Sequence, residues 1–344
     1  MTTGVIDRLA RANAFLPRQR IRQLVHDHVP FDELMEQEKF ESSALRGITD
    51  DSTAVAVIGP RGGGKSSLIA WVCSRLPKTH IALRVPVTGA DDPTSVSVVA
   101  AVALGEALNA IDLEQHQQLP LKQARADSRV EQGPHRSLGG KLGGGPLPAA
   151  IHGELATLRT ELSQGALAAD RLSGIERLIS ILVARGIQPI FVFEDTEAAI
   201  GGDGLEAANA FLAGPIRAFA HEVDASCLVA IQDVFRDAPA FKELAPGLAL
   251  IDLPILDGKR ASRALRAIID NRIAQHEIDA TPGSVIGDDA LQMLVDFYGK
   301  TDQNLRLTLA ALRSATDHAA DNGADRIETG HLRAATSEWQ DRVG

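Results

Sequence analysis

The sequence predicts an α/β fold: a central parallel sheet flanked by helices, followed by a small all-helical domain. Three observations predict it. Val55–Ile58, Ile190–Phe193 and Cys227–Ile231 are short, unbroken apolar runs rich in β-branched residues and phenylalanine. Such runs suit strands buried on both faces, as in a parallel sheet. Segments of helical length separate them, one carrying Leu172, Ile175, Leu178, Ile179 and Leu182 at helical spacing. Beyond residue 257 the pattern is helical throughout. The 344 residues, 44% hydrophobic and 23% charged, are ordinary for one large or two small globular domains.

The first strand is followed by the most informative stretch of the chain. After Val55–Ile58 come Gly59-Pro-Arg-Gly-Gly-Gly-Lys-Ser-Ser67, and an apolar helical pattern opens at Ser66. Gly59, Gly64, Lys65 and Ser66 match the phosphate-loop spacing, with the strand before and helix after that the motif requires. Glycines let backbone N–H groups turn inward around an anion, and the helix N-terminus adds its unpaired donors and partial positive charge. The cradle expected from this spacing is Gly59, Pro60, Arg61, Gly62, Gly63, Gly64, Lys65, Ser66 and Ser67. Lys65 is expected at the β- and γ-phosphates, and the Ser66 hydroxyl at Mg²⁺. The competing reading, a glycine-rich turn that binds nothing, does not account for the Lys-Ser pair at this offset.

The remaining chain is read in order. Residues 1–50 are helical in pattern, with Arg18, Arg20 and Arg22 followed by Asp32, Glu33, Glu36, Glu38 and Glu41, a pattern read as a solvated face or a partner contact. A helix is expected over 65–75, a strand over 80–87 and a helix over 94–111. Residues 112–152, dense in Gly and Pro, read as a surface insertion. Gly139-Gly-Lys141 within it lacks both a preceding buried strand and the following hydroxyl, so a second phosphate loop is disfavoured. A helix over 169–185 stops at Gly186. The next strand, Pro189–Phe193, ends in Glu194 and Asp195. In a parallel sheet that end faces the ligand crevice. One carboxylate there is placed to hold Mg²⁺ and the other to orient or deprotonate water. After a helix over 204–221, the strand 226–231 ends at Gln232, a polar group for the γ-phosphate or the water. Leu248–Leu253 is a fifth strand. Helices follow over 258–277, 288–298, 302–321 and 328–340, with Arg306 on the first turns of the third. The domain boundaries expected are 1–50, 51–256 and 257–344.

Composition bounds the partners. A net charge of −10 argues against a surface that is basic throughout, and leaves room for a local basic groove. Cys73 and Cys227 lie in apolar runs, which suits small buried residues in a reducing compartment. No charged-then-apolar leader and no apolar stretch of membrane-spanning length occurs, so a cytoplasmic protein without membrane contact is expected.

The order of these motifs is similar to that of AAA+ P-loop ATPases, most of all the initiator branch of origin-recognition and transposition-regulator ATPases. The likeness spans about residues 30–340 and implies a P-loop NTPase domain with a helical lid. It assigns Lys65 and Ser66 to Walker A, Glu194 and Asp195 to Walker B, Gln232 to sensor 1 and Arg306 to sensor 2. An arginine finger is usual near residues 240–247. Lys242 stands there, and Arg236 is the nearer arginine. The Glu-Asp order of Walker B resembles some KAP- and STAND-type ATPases instead. The resemblance implies ATP and Mg²⁺ as cofactors, a homo-oligomer, and double-stranded DNA or a protein as partner. Arg18, Arg20, Arg22, Arg129, Arg136 and Lys141 are the candidate DNA contacts. Two further readings stay open. One is a nucleotide-holding signalling scaffold of the STAND or KAP type with little turnover, and the other a small-molecule P-loop kinase, disfavoured by the helical C-terminal third.

Overall fold

The computed structural model describes residues 4–343 apart from 18–20, 36–37, 51–52, 119–148, 164–170 and 197–203. In chain order the helices and strands are α1 Val5–Arg11, α2 Ile21–Asp27, α3 Phe31–Leu34, α4 Glu41–Thr49, β1 Ala54–Gly59, α5 Lys65–Ser74, β2 His80–Val85, α6 Val96–Gln118, α7 Ala149–Ser163, α8 Arg171–Val183, β3 Gln188–Phe193, α9 Leu205–Phe211, β4 Ser226–Gln232, α10 Pro239–Leu244, β5 Leu248–Asp252, α11 Gly258–Gln275, α12 Pro282–Val285, α13 Asp288–Lys300, α14 Leu305–Asp321 and α15 Thr329–Val343. They form two compact units, one of Ser42–Ile58 with Ile69–Asp252, the other of Met1–Glu41, Gly59–Leu68 and Leu253–Gly344.

The first unit holds the expected parallel sheet, in the order β2-β3-β4-β1-β5. β1 pairs with β5 from Ala54↔Leu248 to Ile58↔Asp252, and β3 pairs with β4 from Ile190↔Ser226 to Phe193↔Val229. β1 is buried at all six positions, and β3 at every position after Gln188. β5 lies at the edge and buries only Leu248 and Ile251. Helices cover the sheet. α8 buries Ile175, Leu178, Ile179 and Leu182, the stripe read from its periodicity, and Gly186 closes it at φ +73°. Phe219 stands edge-on to Phe191 and Phe193, with centroids 5.0 and 5.1 Å away.

Three elements depart from expectation. α6 does not stop near residue 111 but runs to Gln118, and α7 occupies 149–163, so both flanks of the expected insertion are helical. Its Gly/Pro centre, 119–148, lies outside the described residues. The helix expected over 204–221 is an α-helix only to Phe211. It continues as two wide π turns to Glu222, the first containing Pro215, which has no N–H to donate.

The second unit is helical. α1 packs on α14 and buries Ile6 and Leu9. Arg272 of α11 makes a 2.8 Å ion pair with Asp27, each side chain 4% exposed, and donates to the Ala14 carbonyl at 3.3 Å. The N-terminal segment therefore joins the C-terminal helices in one core. Thr281 and Ser284 form a capping box on α12. No helix among the described residues is long and apolar enough to cross a membrane.

Candidate functional site

The loop after β1 has the geometry its glycines predict. Gly62 and Gly64 adopt φ +75° and +104°, left-handed values that favour glycine. The Gly63 N–H closes a tight turn on the Pro60 carbonyl at 3.1 Å, and Arg61 is exposed at its tip. Lys65 opens α5 and is only 4% exposed. Its Nζ donates to the carbonyls of Gly59 at 3.0 Å and Pro60 at 2.9 Å, so the loop folds around an ammonium group. Ser66 follows, half-buried on the first turn of α5. A left-handed glycine turn, a buried lysine inside it and a helix N-terminus just beyond fit a phosphate chain. Among the described residues no cluster of three or more His, Cys, Asp or Glu side chains is placed to hold a metal.

The Arg306 segment meets this loop directly. The Leu305 N–H donates to the Gly62 carbonyl at 3.2 Å. A Cβ on Gly62 would collide with the Asn304 side chain. Asn304 caps α14 by accepting from the Leu307 N–H at 3.1 Å. Before it, Asp302 and Gln303 both take left-handed φ values, +49° and +59°. Arg306 is thus the second residue of a helix whose cap sits on the phosphate loop, and its side chain is exposed. A cation on the first turn opposes the helix macrodipole.

A second set of contacts to the loop was not foreseen. Glu41, read above as part of a solvated acidic run, is fully buried. It accepts from the Phe31 and Asp32 N–H groups at 2.8 and 2.9 Å and bonds His28 Nε2 at 2.8 Å. His28 Nδ1 lies 3.1 Å from the hydroxyl of Ser67, which also contacts the Leu24 carbonyl at 3.3 Å. The expected role of Ser67 in the cradle thus coincides with a structural one. It ties residues 24–41 to the start of α5. No periodicity marks this triplet. The only cue was an acid opening the helix α4.

In the sheet unit, β3 ends at Phe193, and Glu194 and Asp195 follow it directly. Glu194 is ion-paired with Arg84 of the neighbouring β2. Burial pulls the Arg84 guanidinium below its usual range, against the opposing effects of Cys73 and Asp195. Burial likewise raises the Cys73 thiol, with Arg84 acting the other way. The second Glu194 oxygen, Oε1, is buried with no hydrogen-bond partner among the described residues. Asp195 is exposed and left-handed, φ +51°, a conformation aspartate tolerates better than most residues. Gln232 ends β4, which lies between β3 and β1. Arg236 sits in the turn after β4 and is ion-paired with Asp252 at the end of β5. It is therefore engaged within its own chain, not presented bare. Of the expected DNA contacts, Arg18, Arg20, Arg129, Arg136 and Lys141 lie outside the described residues, as does the side chain of Arg22.

No protein-family model matches the sequence, and no curated protein matches it. Solved structures do. The ORC2 protein of Aeropyrum pernix, in its ADPNP-ADP complexes, aligns with a TM-score of 0.50 at 15% identity, over 90% of this chain and 72% of that one. The chain shares that protein's fold. The Aeropyrum pernix ORC1 protein in complex with DNA aligns with a TM-score of 0.49 at 16% identity, over 93% of this chain and 69% of that one. Cdc6p from Pyrobaculum aerophilum gives 0.47 at 13% identity, over 95% and 70%.

Proposed function

We propose that this chain is an AAA+-type ATPase of the initiator-like branch. It binds and slowly hydrolyses ATP with Mg²⁺, and uses the nucleotide to control its own assembly and its engagement of DNA or a protein partner. The observation that carries the reading is the loop at Gly59–Ser67. It has two left-handed glycines, a buried lysine on the loop carbonyls, and the cap of the Arg306 helix bonded to Gly62.

Each residue then has a task. The loop N–H groups and the first turn of α5 bind phosphate oxygens, and Lys65 neutralises them. On this reading Ser66 would hold the metal from the phosphate loop, and Glu194, the acid that follows β3, would serve as its acidic ligand, directly or through water. Asp195 orients or deprotonates the attacking water. Gln232 positions that water, and Arg306 reports the presence of the terminal phosphate. Arg236 is the candidate finger toward a neighbouring copy, and leaving Asp252 frees it for that role. When bound, ATP supplies the scissile phosphoanhydride, and Mg²⁺ offsets the charge on its oxygens.

A second reading, a nucleotide-holding scaffold of STAND or KAP type with little turnover, is favoured by one observation. The Arg84 guanidinium already occupies Glu194.

Assembly is tested by measuring mass in solution by light scattering. With ATP and Mg²⁺ the mass should rise to a small integral multiple of the monomer, and it should fall back when EDTA is added. A mass that ignores the nucleotide contradicts the assembly role.

A further inference from the structure

We propose that the solvent face of α11 is a docking surface for the phosphate backbone of a nucleic-acid duplex. The first two turns of this helix carry Lys259, Arg260, Arg263 and Arg266, four cations in eight residues of a chain whose net charge is −10. Helical geometry sets Lys259, Arg263 and Arg266 in one row with Arg260 beside it, over about 10 Å of helix. The opposite face buries Ala261, Ala264, Leu265, Ile268 and Ile269 in the helical unit. The row is therefore held out from the core on a rigid support. Lys259, Arg260 and Arg263 are exposed. Among the described residues, Lys259 and Arg260 have no ion-pair partner, while Arg263 interacts within the chain and Arg266 is bonded to Asp288 at 2.7 Å.

This placement works against the helix. Cations in the first turn oppose the macrodipole, and neighbours at spacings of three and four repel one another. Of the nearby acids, Asp257 occupies the N-cap position and Asp270 lies a turn beyond the row. A row of like charge that its own fold disfavours is explained by an anion outside the chain. The row contains no aromatic or large apolar side chain, which a protein interface would use as an anchor and a membrane surface as an insertion point. A regularly spaced polyanion meets the pattern without either. The surface gives a place to the nucleic-acid engagement proposed above. It rests on that reading only for the choice of probe.

The test uses the full chain and a labelled mixed-sequence DNA duplex, read by fluorescence anisotropy. Wild-type binding through three cations should weaken about 40-fold between 50 and 200 mM salt, from a slope near −0.9 per phosphate. The variant Lys259→Glu/Arg260→Glu/Arg263→Glu should lose binding and its salt dependence. A control, Lys78→Glu/Arg333→Glu, should keep both. Acids in a first turn suit the macrodipole, so the triple variant should melt no lower than wild type. ATP binding, measured in parallel, should be unchanged in it, so the two proposals can fail separately. The proposal is overturned if wild type does not bind the duplex, if the triple variant binds it as tightly, or if the row binds anionic vesicles or an acidic peptide and not the duplex.

Discussion

Glu194→Gln and Asp195→Asn each slow steady-state ATP hydrolysis by about 10²–10⁴-fold, the range for loss of a positioned acid or base, while ATP binding persists. The structure makes both substitutions clean. Asn tolerates left-handed backbone as Asp does, so Asp195→Asn removes charge without disturbing the φ of +51°. Gln at 194 keeps an oxygen for the Arg84 guanidinium, which burial has left dependent on a partner. A phosphate-release assay reads the rates. If neither variant is slower than wild type, the acid pair leaves the mechanism; a wild-type chain without measurable turnover leaves the scaffold reading in its place.

The largest effect on stability is expected at Glu41. Glu41→Ala strips the acceptor from the Phe31 and Asp32 N–H groups and from His28, in a site with no exposure. Each buried donor left unpaired costs about 1–3 kcal/mol, so the total should be about 3 kcal/mol or more. Glu41→Gln keeps one good acceptor and should cost less. Urea unfolding followed by circular dichroism measures the difference. An alanine variant within about 0.5 kcal/mol of wild type, the range of an ordinary surface substitution, would show that the carboxylate does not hold the N-terminal segment.

What was legible in the sequence follows from how local the signal is. The phosphate loop could be read because its chemistry fixes glycine, lysine and hydroxyl at set offsets within nine residues. The strands could be read because two-sided burial demands unbroken apolar runs, and β1, β3 and β4 have them. The long-range pairs could not. Arg84 has its meaning only beside Glu194, and Glu41 only beside two N–H groups and His28. One cue was nonetheless present. An arginine inside the strand His-Ile-Ala-Leu-Arg-Val needs a partner when half of that strand is buried. Asn304 was passed over for a related reason. A single capping residue is visible in sequence, but its seat on Gly62 is not. α7 was missed because its apolar residues form no strong stripe, and the Gly/Pro run before it dominated the reading.

Calorimetric titration of ATP with Mg²⁺ into wild type and into Lys65→Ala probes the cradle itself. Wild type should bind nucleotide one-to-one, and saturation at 100 times Kd should add about 2.7 kcal/mol of stability. Lys65→Ala, folded by its melting curve, should give no heat of binding. A wild-type chain that binds no ATP, or an alanine variant that binds it equally well, would contradict the account.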